Sequence, residues 1–306
     1  MQTTTHSPAI ARPLGLPPQR SGGYRGLCDC QQSTYSAYGR NDLQHRRTCL
    51  AASDGESLLA QNQLLASLPD DSRRHLQPHL EFVQLTAGDV LYDAGAVLSH
   101  VYFPLTAVVS LVSMMEDGGS IEVAVVGHEG VAGICAFMGG GVSLSTAVVQ
   151  NSGRALRASA QVIAGASRGS APVMQTLLSY TQALFTQMVQ TSACNLHHTI
   201  DQKLCRWLLT QHDRIDGNVV MATHERIALM LGVRRESVSG AAMKLRNADL
   251  IEYRRGCIEI IDRDGLEQRS CECHRVSKRA YMRMLGSLMA QTPRANGLTP
   301  FGLANC

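Results

Sequence analysis

The chain has 306 residues, of which 44% are hydrophobic and only 5% aromatic, with a formal net charge of +3. That length supports two domains with cores of their own. No apolar run reaches membrane-spanning length and no apolar stretch follows a basic one near the start, which excludes a membrane partner and a secretory leader and points to a cytoplasmic protein. The ten cysteines are then expected to be mostly reduced. The charge is uneven: residues 58–165 carry 4 Lys/Arg against 9 Asp/Glu, whereas residues 201–306 carry 17 against 12. An acidic first half and a basic second half suit nucleic-acid binding by the C-terminal part.

Residues 1–53, with Pro13, Pro17, Pro18, Gly22, Gly23 and a Gln31-Gln32-Ser33 run, show little apolar periodicity and read as a disordered arm. Cys28, Cys30 and Cys49 fall here, at spacings that match iron–sulfur ligation poorly. A short helix is expected over Ser57–Ala66 and a second near Asp70–Leu80, with Asp70 or Asp71 as N-cap after Pro69. From Glu81 the pattern becomes β. Phe82–Leu85, Val90–Tyr92, His100–Phe103, Ala107–Met115, Ile121–Val126 and Ala147–Val149 read as short strands separated by glycine turns, a small antiparallel barrel or roll over residues 54–170.

Pro172 opens a long helix expected over residues 171–194. Met174, Leu177, Thr181, Leu184 and Met188 recur at threes and fours, a heptad-like seam read as the contact between two subunits. Another helix, about Leu196–Ile215, carries Leu204, Trp207, Leu208 and Leu209 into a second core. The C-terminal unit is placed at 195–286 and a flexible tail at 287–306.

Thr223–Ile251 reads as helix, tight turn, helix. Ala228 sits at the close approach, Gly232 at the turn and Val238 on the second helix, with Leu231, Ala241, Met243 and Leu245 adding apolar contacts. The second helix opens with Arg234, Arg235, Glu236, Ser237 and Ser239, side chains able to reach base edges and phosphates. Glu252–Gly256 and Cys257–Ile261 then form a β-wing with Arg254 and Arg255 at its tip. Arg234, Arg235, Glu236 and Ser239 are the base-reading candidates; Thr223, Ser237, Arg254 and Arg255 are the phosphate candidates.

A roll, a long helix and a winged helix-turn-helix, in that order, resemble the Crp/Fnr family of bacterial transcription regulators over roughly residues 58–285. The motifs that carry the resemblance are Thr86-Ala87-Gly88-Asp89 with Tyr92-Asp93-Ala94-Gly95, Gly127-His128-Glu129-Gly130 with Gly133, and the run from Thr223 to Ser239. The resemblance implies an α+β chain with a cyclic-nucleotide-binding-like (cupin-like) roll. It implies a homodimer on a two-fold symmetric DNA operator, and contact with RNA polymerase if the protein is an activator. It places Arg235 and Glu236 on G and C, which agrees with the guanidinium fork for guanine O6/N7 and a carboxylate accepting from cytosine N4. Where many members carry a second base-contacting arginine, this chain has Gly240.

The effector site departs further. In place of the Gly-Glu-Leu segment and the later Arg-Ser or Arg-Thr that hold a cyclic nucleotide, this chain has Gly133-Ile134-Cys135 and Leu144-Ser145. A buried phosphate without a cation is costly, so cyclic AMP is not expected. Gly133, Ile134, Cys135 and Ser145 mark the position where an unidentified small molecule would bind. No cofactor or metal is expected. His128-Glu129 reads as a solvated pair in a turn, and adjacent His197 and His198 point about 100° apart on a helix. Cys271-x-Cys273-His274 lacks a fourth ligand and a second pair. No catalytic motif is present, so no enzyme is expected. The competing class is a sensor whose C-terminal hairpin docks another protein. It calls for exposed apolar anchors where this chain has arginines.

Overall fold

The computed structural model describes residues 48–49 and 57–291. The expectations for the rest of residues 1–53, Cys28 and Cys30 included, and for residues beyond 291 lie outside the described residues. Within the segment read as an arm, strand β1 (Thr48–Cys49) pairs with Glu81 and Phe82 of β2 (Glu81–Leu85). Two residues are thus held by a sheet edge, whose unpaired backbone groups accept a strand of any side-chain pattern.

The helix expected over Ser57–Ala66 is broken. A helical turn at 57–59 gives way to α1 (Gln63–Ala66), because Asn62 caps it: its Oδ1 accepts the Leu65 N–H at 3.0 Å. The same buried amide donates to the carbonyls of Pro104 and Gly130, both at 2.9 Å, and ties the helix to the roll. In α2 (Asp70–Leu76) the N-cap is Pro69, not an aspartate. Asp70 and Asp71 sit in the first turn and pair with Arg73 and Arg74, where carboxylates favour the helix dipole.

The roll consists of β2, β3 (Val90–Tyr92), β4 (His100–Pro104), β5 (Val108–Met114), β6 (Ser120–Val126), β7 (Thr146–Asn151) and β8 (Gly153–Ser159). They form two antiparallel sheets, ordered β1-β2-β8-β4 and β3-β7-β5-β6. Strand β8 is absent from the sequence reading. Its Gly-Arg-Ala-Leu-Arg-Ala-Ser run has weak strand propensity, but it lies between β2 and β4 and buries Ala155, Leu156 and Ala158, and burial outweighs propensity in a central strand. Gly153 allows the close approach there, since a Cβ would meet the Ala107 backbone nitrogen at 2.4 Å. Ser159 then caps α3 (Ala160–Gly169).

The long helix α4 runs Ala171–His197, capped by Ser170 with Pro172 in its first turn. The seam is corrected. Leu177, Thr181 and Leu184 are buried in the chain's own core, and Met174 and Met188 are partly buried. The apolar residues left facing out are Leu178 (50% exposed), Phe185 (42%) and Val189 (63%). Heptad spacing marks an apolar stripe but not the chain that covers it, and here the strongest stripe packs on the roll and on the final helix.

The C-terminal unit holds α5 (Ile200–His212), β9 (Val219–Met221), α6 (His224–Leu231), α7 (Arg235–Arg246), β10 (Ile251–Arg254), β11 (Cys257–Ile260), α8 (Arg263–Arg269) and α9 (Glu272–Gln291). A capping box of Thr199 and Gln202 starts α5, so the expected helix from Leu196 is divided at His198–Thr199. Trp207, Leu208, Ile227, Val238 and Ile258 form the core of this unit, and Val112 and Val148 of the roll join it. Helix α9 overturns the tail boundary at 287. It turns back along α4, where Tyr281, Met284 and Leu288 enter the main core and the Tyr281 hydroxyl bonds the Gln187 amide at 3.0 Å. Among the described residues no helix is long and apolar enough to cross a membrane.

Candidate nucleic-acid interface

Helix α6 begins at Thr223, whose hydroxyl accepts the Arg226 N–H at 3.1 Å and keeps its own proton to donate outward. It ends at Gly232, in the left-handed region at φ 62°, where a non-glycine residue would be strained. The turn sends the chain into α7 with Arg234 as N-cap and no side-chain cap bond. Arg234, Arg235, Glu236 and Ser237 are all exposed on that first turn, while Val238, Ala241 and Leu245 face the core. Met243, expected in the core, is exposed.

Arg235 Nε lies 3.8 Å from Glu225 Oε2 with both side chains about two-thirds exposed, a pair too solvated to hold the guanidinium back from a ligand. The wing turns at Gly256 (φ 83°) and leaves Arg254 and Arg255 exposed. Thr223, Arg235 and Arg255, from three different elements, line one concave surface together with His224 and Tyr253. Ser239 stands apart from the exposed group. It is half-buried, with its Oγ 3.0 Å from His224 Nδ1. The His224 ring stacks on Tyr253 at 4.2 Å between centroids. Burial, and then the Arg235 charge, push the His224 pKa down, which favours the neutral ring. Sequence reasoning missed His224 and Tyr253, because neither lies in the recognition helix. A Cβ at Gly240 would meet nothing within 4 Å, so packing does not demand a glycine there.

The proposed effector segment is built differently from an open pocket. Gly133 has φ 109° and starts a short 3-10 turn, Ile134–Ala136. Ile134, Phe137, Val101 and Tyr102 are part of the core, with Tyr92 and Cys135 packed against it. Ser145 is tied locally, its N–H donating to Ser143 Oγ at 3.3 Å. Arg157, one of two arginines on β8, is buried and bonded through Nε and Nη2 to Glu81 at 2.9 and 2.8 Å.

Polar contacts join the roll to the reading unit. His128-Glu129 is not a solvated pair: Glu129 is buried and accepts from Arg214 Nε at 2.7 Å, with both side chains 8% exposed. Arg226 Nη2 of α6 donates to the Val149 carbonyl of β7 at 2.8 Å. Glu122 of β6 lies buried beneath α5. Burial pushes its pKa up to about 7, against the Ser110 hydroxyl bond (2.6 Å) and the charges of Arg206 and Arg214. Nearby, burial tends to raise the Asp213 carboxyl, but the His274 bond (2.8 Å) and the charges of His274, Arg263 and Lys278 outweigh it. They hold the carboxyl well below the usual carboxylate range. Sequence spacing also could not bring together four side chains of metal-ligating type: Cys194 and His198, at the end of α4, come to Cys271 and Cys273.

A Crp-like helix-turn-helix domain model matches residues 202–269, and a cyclic nucleotide-binding domain model matches residues 82–167. Together they take in half of the chain. Among solved structures, FixK2 from Bradyrhizobium japonicum is 15% identical with a TM-score of 0.55, covering 63% of this chain and 98% of its own. A transcriptional regulator described as of the Crp/Fnr family from Eubacterium rectale is 17% identical with a TM-score of 0.55, covering 71% and 99%. A CRP-family regulator from Thermus thermophilus is 19% identical with a TM-score of 0.53, covering 61% and 95%. No curated protein matches the chain. A cyclic-nucleotide-binding-type roll joined by a long helix to a winged helix-turn-helix defines a DNA-binding regulator. The chain belongs to the Crp/Fnr family of transcription regulators.

Proposed function

We propose that the protein is a cytoplasmic homodimer that binds a two-fold symmetric DNA operator and regulates transcription. The observation that carries this reading is the convergence of Thr223, Arg235 and Arg255 on one concave surface beside an exposed recognition-helix start. In this reading Arg235 donates its fork to guanine O6/N7 and Glu236 accepts from cytosine N4, with Arg234 reaching the neighbouring base. Ser237, Thr223, Arg254 and Arg255 take phosphates, and Ser239 fixes His224 beneath them. The partner chain covers Leu178, Phe185 and Val189 on α4, spaced by seven and four residues as a two-helix contact requires. If it activates transcription, the dimer also contacts RNA polymerase.

The roll takes a signal other than cyclic AMP. Arg157 is committed to Glu81, and core side chains fill the Gly133–Cys135 region. Cyclic AMP at a hundredfold excess over any dissociation constant would stabilise the fold by about 2.7 kcal/mol, and thermal unfolding with and without it should show no shift. Binding to duplex DNA, followed by fluorescence anisotropy against salt, tests the main reading. A steep linear fall of log K with log salt is expected, and salt-independent binding would refute it.

A further inference from the structure

Three cysteines and a histidine from distant parts of the chain meet where α4 ends and α9 begins. Cys194 and His198 lie four residues apart, which places them on one side of the helix end, and the His198 N–H closes that helix on the Cys194 carbonyl at 3.1 Å. Cys271 and Cys273 flank Glu272, the first residue of α9. The four donor atoms all lie within 4.8 Å of one another. Cys194 Sγ is 3.6 Å from Cys271 Sγ, and Cys273 Sγ is 3.7 Å from His198 Nδ1.

Those distances discriminate between chemistries. A disulfide needs sulfurs about 2.05 Å apart. Ligands at about 2.3 Å around one tetrahedral ion stand roughly 3.7 Å apart, the spacing of the Cys194–Cys271 and Cys273–His198 pairs. A cluster of several iron and sulfide atoms would spread its thiolates wider than a single ion does. The surroundings fit as well. The three sulfurs are buried in a small core of their own, as in a closed site with no open coordination position. His198 presents Nδ1 to the sulfurs and Nε2 to Glu272 Oε2 at 3.5 Å, the carboxylate–histidine pairing that fixes a ligand tautomer.

We propose that Cys194, His198, Cys271 and Cys273 bind a single divalent zinc ion in tetrahedral geometry. The ion clamps the end of the long helix to the start of the last one, beside the His198–Thr199 hinge into the DNA-reading unit. Binding breaks three S–H bonds and forms three S–Zn bonds, with the protons released to solvent. The site does not depend on DNA binding, so its test reads metal alone.

Cobalt(II) titrated into the reduced, metal-stripped full chain should give the visible bands and thiolate charge-transfer of a tetrahedral site, saturating at one ion per chain. Zinc should bleach them. Cys271→Ser should abolish the spectrum, whereas Cys257→Ser and the double change Cys28→Ser/Cys30→Ser should leave it intact. Should Cys271→Ser fail to fold, His198→Cys serves instead: it should retain binding and intensify the charge-transfer band. Glu272→Gln should weaken zinc about 10–100-fold. A six-coordinate cobalt spectrum, a spectrum that survives in Cys271→Ser, or one unchanged in His198→Cys would overturn the proposal. So would failure of the reduced protein to bind cobalt.

Discussion

The Glu129–Arg214 pair fixes the roll to the end of α5, and its removal should be among the most damaging single changes in the chain. Arg214 Nε meets Glu129 Oε1 at 2.7 Å, Arg214 Nη1 donates to the Thr210 carbonyl at 2.8 Å, and the guanidinium lies 5.6 Å from the Tyr281 ring centroid. Both side chains are 8% exposed, so little solvent screens the pair. Arg214→Met leaves a buried carboxylate whose remaining bond is the Gly127 N–H at 3.2 Å. Breaking one side of such a pair costs about 3–5 kcal/mol, whereas replacing both sides by apolar groups is often neutral. Urea unfolding of Arg214→Met should show that loss, and Glu129→Leu/Arg214→Met should be more stable than either single variant. Lys244–Asp201, with side chains 67% and 41% exposed, provides the surface comparison at about 0–1 kcal/mol. An Arg214→Met penalty no larger than that of Lys244→Met, or a double variant that simply adds the two losses, would refute the reasoning.

Other expectations follow from the same geometry. Arg235→Ala should cost about 1–3 kcal/mol in operator binding and relax preference at one base pair, whereas Arg255→Ala should weaken all sequences alike and reduce the salt slope by about one unit. Phe185→Asp should convert a dimer to a monomer in sedimentation, while Leu184→Ala, buried in its own subunit, should instead lower unfolding stability by about 2–5 kcal/mol. The Glu122 carboxyl is raised in the folded state from 4.5 to about 7, so its contribution is complete at low pH. It is lost, at up to about 1.4 kcal/mol per pH unit, as pH rises from the unfolded toward the folded pKa. Urea midpoints of Glu122→Gln over that window should lack this slope, and a slope identical to wild type would place the titration elsewhere.

Local rules recover the elements whose signals are local. The Thr223 cap, the Gly232 turn and the glycine-bounded strands are legible because each depends on neighbours a few residues away. Helix ends such as those at Asn62 and Thr199 are missed on local caps, but the larger misses involve distant partners. Strand β8 is weak in propensity and exists because β2 and β4 flank it. The seam through Leu177 and Leu184 is legible as an apolar stripe, but α9, which returns from the far end of the chain, decides who covers it. Glu129 reads as solvated because Arg214 is 85 residues away. Cys271-x-Cys273 reads as incomplete because Cys194 is separated from Cys271 by 77 residues. Within the recognition surface, residue types indicate Arg234 to Ser239 as a group, and only the geometry separates the exposed Arg235 from a Ser239 engaged by His224.

Sequence-specific reading by a dimer is tested by selecting preferred duplexes from random DNA with the purified protein at fixed moderate salt. The selected site should be two-fold symmetric with a G·C pair in each half, and Arg235→Ala should lose preference at that pair. An asymmetric site, or operator choice unchanged in Arg235→Ala, would contradict it.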